Sequence, residues 1–292
     1  MIITADSGST SIDWRVLRPG ETARKLESPG VNPVLQEVGA MQEVFATALR
    51  DVAEEVLSDC GNAIPTVRVY FYGAGVVSEA AGDKVREALH AVLPGSLVTV
   101  GSDLEAAALA LLGGRDGIAA ILGTGSNSGL YLGGRIVRSI PAGGFILGDE
   151  GSGAWLGKML LADYIKGLLP QELDAAMREE YPELDYPTII GRVYRAEMPS
   201  RYLASFSLFL GRRKDCPYVR ELIAGGFRLF LERSVMRCGR PDLPLAAVGS
   251  VACAYGDILR EVAEEFGVRQ VITASGAGDG LERYFLNRRT VE

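Results

Sequence analysis

A chain of 292 residues is long enough for about two domains of ordinary size. Its 30 Lys and Arg against 37 Asp and Glu leave a net charge of −7, which excludes binding that depends on neutralising nucleic-acid phosphates with a basic surface. A hydrophobic share of 48% with 23% charged residues excludes a disordered or fibrous chain.

The first predicted strand, 2–5, runs into the turn Asp6-Ser7-Gly8-Ser9-Thr10, and strands at 12–17 and 23–27 follow. Residues 41–57 carry Val44, Phe45, Ala48, Leu49, Val52 and Val56 at helical spacing. Strands are expected at 67–72 and 97–100. Ser102-x-x-Glu105 then opens a helix through 112 as a capping box. The pattern restarts after Gly113-Gly114, with a strand at 118–122, the turn Gly123-Thr124-Gly125-Ser126-Asn127-Ser128, and strands at 129–132 and 135–139 around Gly133-Gly134. At an offset of 117, Gly8 falls on Gly125, Ser9 on Ser126, Ser11 on Ser128 and Trp14 on Tyr131. An internal repeat of two related α/β lobes is the reading, each opening with a three-stranded meander. Helices follow near 153–169, 218–238 and 254–266, with strands at 245–249 and 271–274 and a closing loop Ser275-Gly276-Ala277-Gly278-Asp279-Gly280. Residues 170–217 give mixed signals.

No apolar run approaches the roughly 20 residues of a membrane helix. The start Met1-Ile2-Ile3-Thr4-Ala5-Asp6 lacks a basic signal-peptide region, and Cys60, Cys216, Cys238 and Cys253 form no CxxC pair. A cytoplasmic protein with reduced thiols is expected. The backbone N–H groups of the first turn suit phosphate oxygens, and Gly8 permits close approach. Asp6 would repel phosphate unless a cation lay between them, which points to Mg2+; an ordinary Asp/Ser/Gly turn is the other reading. The second turn has no acid in that place, as expected if it handles phosphate alone. A dinucleotide fingerprint fails there, because position 128 is Ser and a hairpin follows rather than a helix. A Walker A loop around Gly157-Lys158 fails on Ser152 and Met159. Asp103, in the first turn of its helix, is either a dipole-stabilised carboxylate or a base for an attacking hydroxyl. Asp149 and Glu150, flanked by glycines, suit sugar hydroxyls or a helix cap. His90, the only histidine, excludes a histidine-rich metal site.

Taken in order, Asp6-Ser7-Gly8-Ser9-Thr10 with Asp13-Trp14, Gly30-Val31-Asn32-Pro33, Tyr70-Phe71-Tyr72-Gly73-Ala74-Gly75, Ser102-Asp103, Ile121-Leu122-Gly123-Thr124-Gly125-Ser126, Gly148-Asp149-Glu150-Gly151-Ser152-Gly153 and Val248-Gly249-Ser250-Val251 resemble one family. It is the BadF/BadG/BcrA/BcrD-type ATPases and their N-acetylglucosamine kinase branch, within the sugar kinase, actin and heat-shock chaperone ATPase superfamily. The resemblance spans nearly the whole chain. It implies a two-lobed, duplicated ribonuclease H-like (actin-like ATPase) α/β fold with an interlobe cleft. The lobes would be 1–113 and 114–280, with 281–292 packing back on the first.

The resemblance further implies an ATP-dependent amino-sugar kinase acting on the 6-hydroxyl of N-acetylglucosamine, with Asp103 as catalytic base and Asp6 toward Mg2+. Ser7, Gly8, Ser9 and Thr10 would form the first phosphate loop, and Gly123, Thr124, Gly125 and Ser126 the second. Gly249, Ser250, Gly276 and Gly278 would hold adenosine. Asn32, Gly143, Gly144, Asp149 and Glu150 would contact the sugar. Ser11 departs from relatives that carry Lys there. The expected partners are ATP and an amino sugar, with no nucleic acid or membrane, and a homodimer as the assembly if the chain associates. N-acetylmuramic acid is the rival substrate; a partner-activating ATPase and a sugar-sensing protein are the rivals of other classes.

Overall fold

Two stretches of alternating buried residues, Ile2–Ser7 (β1) and Ser11–Leu17 (β2), pair antiparallel, and Arg24–Pro29 (β3) extends the meander. A computed structural model describes residues 1–8, 10–58 and 67–289 of the chain. Ser9 and Cys60, both singled out above, and residues 290–292 lie outside the described residues. The chain divides into two compact units, Met1–Gly114 with Gly276–Glu292, and Arg115–Ser275.

In the first unit, α1 (Val38–Ala48) and α2 (Arg50–Ser58) precede β4 (Arg68–Gly73), then come α3 (Glu79–Val92), β5 (Leu97–Ser102) and α4 (Asp103–Leu112). The sheet order is β3-β2-β1-β4-β5, with β1, β4 and β5 parallel. Trp14, Phe45 and Phe71 fill its core, with Trp14 edge-on to Phe45 at 5.5 Å and its Nε1 donating to Ser28 Oγ at 2.9 Å. The single helix expected over 41–57 breaks at Leu49, which is fully buried. Apolar spacing reports the buried face, and that face continues across the break, so the spacing cannot reveal it.

The second unit repeats the plan. It holds β6 (Gly117–Leu122), β7 (Ser126–Leu132) and β8 (Arg135–Ile140), followed by α5 (Gly144–Leu147) and α6 (Gly153–Tyr164). Residues 170–217 form α7 (Gln171–Glu180), α8 (Tyr186–Tyr194), α9 (Pro199–Ser205) and α10 (Ser207–Gly211). After α11 (Pro217–Arg233) come β9 (Leu245–Val248), α12 (Ser250–Ala254), α13 (Gly256–Glu265) and β10 (Val271–Ala274). Sheet order β10-β9-β6-β7-β8 is the first sheet's order again, antiparallel meander and parallel pair included. Both sheets are ribonuclease H-like.

Three expectations change. β1 and β6, and likewise β2 and β7, begin 115 residues apart. Gly8 therefore corresponds to Gly123, and the identities found at 117 come from the abundance of Gly and Ser in both turns. The closing loop is also shorter than expected, because a C-terminal helix, Gly278–Arg289, starts inside it. The return to the first unit falls at Gly276, not at 281.

Candidate active site

Parallel strands place their carboxyl ends together, the usual location of ligands in open α/β sheets. In the first unit, Ser7 pairs with Gly73 and Gly73 with Ser102, so the ends of β1, β4 and β5 share one row. Asp6 and Asp103 stand at that edge. Ser102 caps α4 through its Oγ, which accepts the Glu105 N–H, while Glu105 accepts the Ser102 N–H at 2.7 Å; this is the capping box expected from sequence. The cap fixes Asp103 as the first residue of α4, where its Oδ1 accepts the Leu104 N–H at 2.9 Å. Burial nevertheless raises its pKa above the ordinary carboxylate value, outweighing that bond.

Asp6 lies opposite Asp13 in the β1–β2 register. Its Oδ2 accepts the Ala277 N–H at 2.7 Å. Its pKa rises to about 6, chiefly through burial; the Ala277 bond opposes the shift, and the charges of Asp13 and Asp103 add to it. Arg15, buried beneath, binds Asp13 at 2.6 Å, Asp279 at 3.0 Å and Glu282 at 3.6 Å, tying the C-terminal helix to β2. Gly276 and Gly278, expected near adenosine in the second lobe, instead belong to the first unit. Gly278 lies against the Asp13 carboxylate, and a Cβ at Gly276 would sit 3.5 Å from Asp6 Oδ2. Sequence reasoning missed Arg15 and this role of the loop, since the partners are over 250 positions apart.

The surroundings of Asp6 fit a divalent cation. Acidic groups gather in a poorly hydrated place, with the charges of Asp13 and Asp103 both acting on Asp6. Among the described residues no three His, Cys, Asp or Glu side chains form a metal cage. Mg2+ is commonly held by one or two carboxylates, water and substrate phosphates, so Asp6 suffices on the protein side. Gly8 and Thr10 are exposed at the turn. Asn32 packs on Gly75, and its Oδ1 accepts the Val34 N–H at 2.9 Å, leaving the side-chain NH2 without a partner among the described residues.

In the second unit, the turn after β6 keeps two backbone donors open. The Gly123 N–H bonds to Gly125 O, and the Ser126 N–H to Asp149 Oδ1, whereas Thr124 and Gly125 donate to nothing among the described residues. Open amides in a glycine-rich turn fit phosphate oxygens. Gly249 packs against this turn with φ +127°, and a Cβ there would overlap the Leu122 carbonyl oxygen. Both the backbone conformation and the space demand glycine. Gly249→Ala is expected to lose at least about 2 kcal/mol of stability, read from chemical denaturation midpoints. Ser250, the first residue of α12, is exposed.

Gly143 and Gly144 both have positive φ at the start of α5. Asp149 and Glu150 are buried and take different partners: Asp149 faces the turn, and Glu150 Oε1 pairs with Arg233 Nη1 at 2.9 Å. Nothing near Glu150 in the sequence signals Arg233, which arrives from α11. His90 is exposed, with its Nε2 3.2 Å from the Ser96 carbonyl oxygen. Cys216, Cys238 and Cys253 are free thiols. Among the described residues no helix is long and apolar enough to cross a membrane.

No family model and no curated protein matches the chain. Solved structures do. The putative N-acetylglucosamine kinase of Porphyromonas gingivalis is 38% identical, with a TM-score of 0.90 over 99% of this chain and 100% of its own. The putative N-acetylglucosamine kinase of Chromobacterium violaceum is 21% identical, with a TM-score of 0.69 over 96% of each chain. The ROK hexokinase of Thermus thermophilus is 18% identical, with a TM-score of 0.54 over 99% of each, and like the second it shows the fold alone. The fold is the duplicated, two-lobed, actin-like ATPase fold.

Proposed function

Since this chain belongs to the same family as the Porphyromonas gingivalis protein, we propose that it is a sugar kinase that moves the γ-phosphoryl group of ATP to the 6-hydroxyl of an amino sugar, N-acetylglucosamine first among them. The observation that carries the reading is the placement of Asp103: partly buried, first in its helix, and within electrostatic reach of Asp6 at the same sheet edge.

Asp103 would accept the proton of the sugar hydroxyl as its oxygen attacks the γ-phosphorus and the bond to the β–γ bridging oxygen breaks, releasing ADP. Asp6 would hold Mg2+, which when bound neutralises charge on the phosphates. In the first unit, Ser7, Gly8, Ser9 and Thr10 would meet phosphate; in the second, the open amides of Thr124 and Gly125, with Gly123 and Ser126 shaping their turn, would do the same. Gly249 and Ser250 are assigned to adenosine, and Gly276 and Gly278 to support of Asp6 and Asp13. In the first unit the free NH2 of Asn32 suits a sugar hydroxyl, and in the second the Glu150 carboxylate and the Gly143-Gly144 pair are assigned to the sugar. Asp149 alone of that group has its carboxylate already engaged by the backbone of the phosphate turn.

The test is ADP formation with ATP and Mg2+ across N-acetylglucosamine, N-acetylmuramic acid, glucosamine and glucose. N-acetylglucosamine is expected to give the highest kcat/KM. A preference for N-acetylmuramic acid would move the substrate, and absence of sugar-dependent ADP would defeat the reading.

A further inference from the structure

The C-terminal helix belongs to the first unit and is seated there in two ways. One is packing. A Cβ at Gly280 would meet the Cβ and the carbonyl oxygen of Ala110 at 2.5 Å, so the helix lies with its backbone against α4, the helix that Asp103 opens. Ala277 and Leu281 bury together with Ala106 of α4, and the Phe285 ring lies 4.1 Å from that of Tyr70, centroid to centroid. The other is charge. The Arg15 side chain is only 7% exposed, and its guanidinium lies 2.6 Å from Asp13, 3.0 Å from Asp279 and 3.6 Å from Glu282. Asp279 and Glu282 stand one turn apart on the helix, so one planar fork reaches both of them as well as Asp13. These ties press the start of the helix onto the meander. A Cβ at Gly278 would overlap the Asp13 carboxylate and come within 3.1 Å of Arg15 Nη2, while the Ala277 N–H donates to Asp6 Oδ2 at 2.7 Å. A guanidinium repels a cation, so any benefit of Arg15 to a metal at Asp6 comes through geometry and not through its charge.

We propose that Arg15 is a positioning residue for Asp6: by gripping Asp279 and Glu282 it seats the start of the C-terminal helix, which holds the Ala277 N–H on Asp6 Oδ2 and fixes that carboxylate in one orientation. This deepens the kinase reading and rests on its assignment of Asp6 to Mg2+. Arg15 acts through the helix and takes no direct part in binding the metal. The carboxylate site of the first unit then depends on the end of the chain, which reaches it only after the second unit has been traversed.

The test measures the Kd of a non-hydrolysable ATP analogue in EDTA and in Mg2+, for wild type, Arg15→Met and Arg15→Lys. The ratio of the two values is the gain in affinity that Mg2+ brings, a quantity that fold stability alone does not set. In Arg15→Met that gain should fall at least about 10-fold, the size of a lost charge-assisted hydrogen bond. Charge alone predicts the opposite sign: without the guanidinium, Asp13, Asp279 and Glu282 stand uncompensated near Asp6, and Mg2+ should bind more tightly. A gain that rises, or that falls by less than about 10-fold, would overturn the proposal. Amide hydrogen exchange at Ala277 in the ligand-free protein should quicken in Arg15→Met, and unchanged exchange there would overturn it as well. Where Arg15→Met fails to fold, Arg15→Lys decides, since it keeps the charge and loses the planar fork. Exchange at Ala277 should then quicken and the gain should fall at least about 3-fold, whereas the wild-type value of either would overturn the proposal. If wild-type protein gained no analogue affinity from Mg2+, the assignment of Asp6 to the metal would fall, while exchange at Ala277 would still decide whether Arg15 holds that amide on Asp6.

Discussion

Asp103→Asn is expected to lower kcat by at least ~10²-fold while leaving affinity for an ATP analogue within about 3-fold, the usual scale of lost general-base assistance. Asn is nearly isosteric and can still accept the Leu104 N–H that Asp103 accepts now, so the first turn of α4 and its Ser102–Glu105 cap should survive. The proton acceptor alone is removed. The raised pKa of Asp103 sets the pH dependence. A base must be unprotonated to act, so turnover should fall with acid at a higher pH than an ordinary carboxylate would give, and Asp103→Asn should lose that limb of the profile. Turnover equal to wild type would remove Asp103 from the chemistry. A large loss of nucleotide affinity would instead make it a structural or binding residue.

The sequence was most informative where local chemistry decides local structure. Ser102 and Glu105 mark a helix start because two side chains satisfy two backbone donors three residues apart, and the structure has that box. The duplicated meander was visible because each copy is built from neighbouring strands. Long-range partners were not visible. Arg15 meets Asp279 and Glu282, and Arg233 meets Glu150, only after distant segments pack. Ser-Gly-Ala-Gly-Asp-Gly has turn composition and predicts a loop, yet Gly278 opens a helix whose first turn carries Asp279 beside Lys25 and Arg15. Residue identities put the repeat offset two residues from the structural one, since Gly and Ser are common in both turns and only strand pairing fixes register. Residues 170–217 hid four short helices; two of them, α9 and α10, meet at Phe206, where no capping side chain marks the boundary.

Asp6→Asn should have two opposite effects. Turnover should fall by on the order of 10³-fold, because the carboxylate assigned to Mg2+ is gone and charge on the transferring phosphoryl loses several kcal/mol of stabilisation. The metal-free protein should become more stable at neutral pH. An unfolded Asp loses its proton near 3.8, whereas folded Asp6 keeps it to about 6, mainly because burial disfavours the charge. Between those values the folded state binds more protons, so wild-type stability falls as pH rises, and above about 6 the cost is constant at up to about 3 kcal/mol. Asn carries no charge, and its side-chain oxygen can accept the Ala277 N–H as Asp6 does. In EDTA, Asp6→Asn should match wild type near pH 4 and exceed its thermal midpoint by a few degrees at pH 7.5. Added MgATP should then stabilise wild type more than the variant. A variant less stable than wild type at pH 7.5, or a difference that does not change with pH, would show that Asp6 carries no burial cost and that its place at the end of β1 is purely structural.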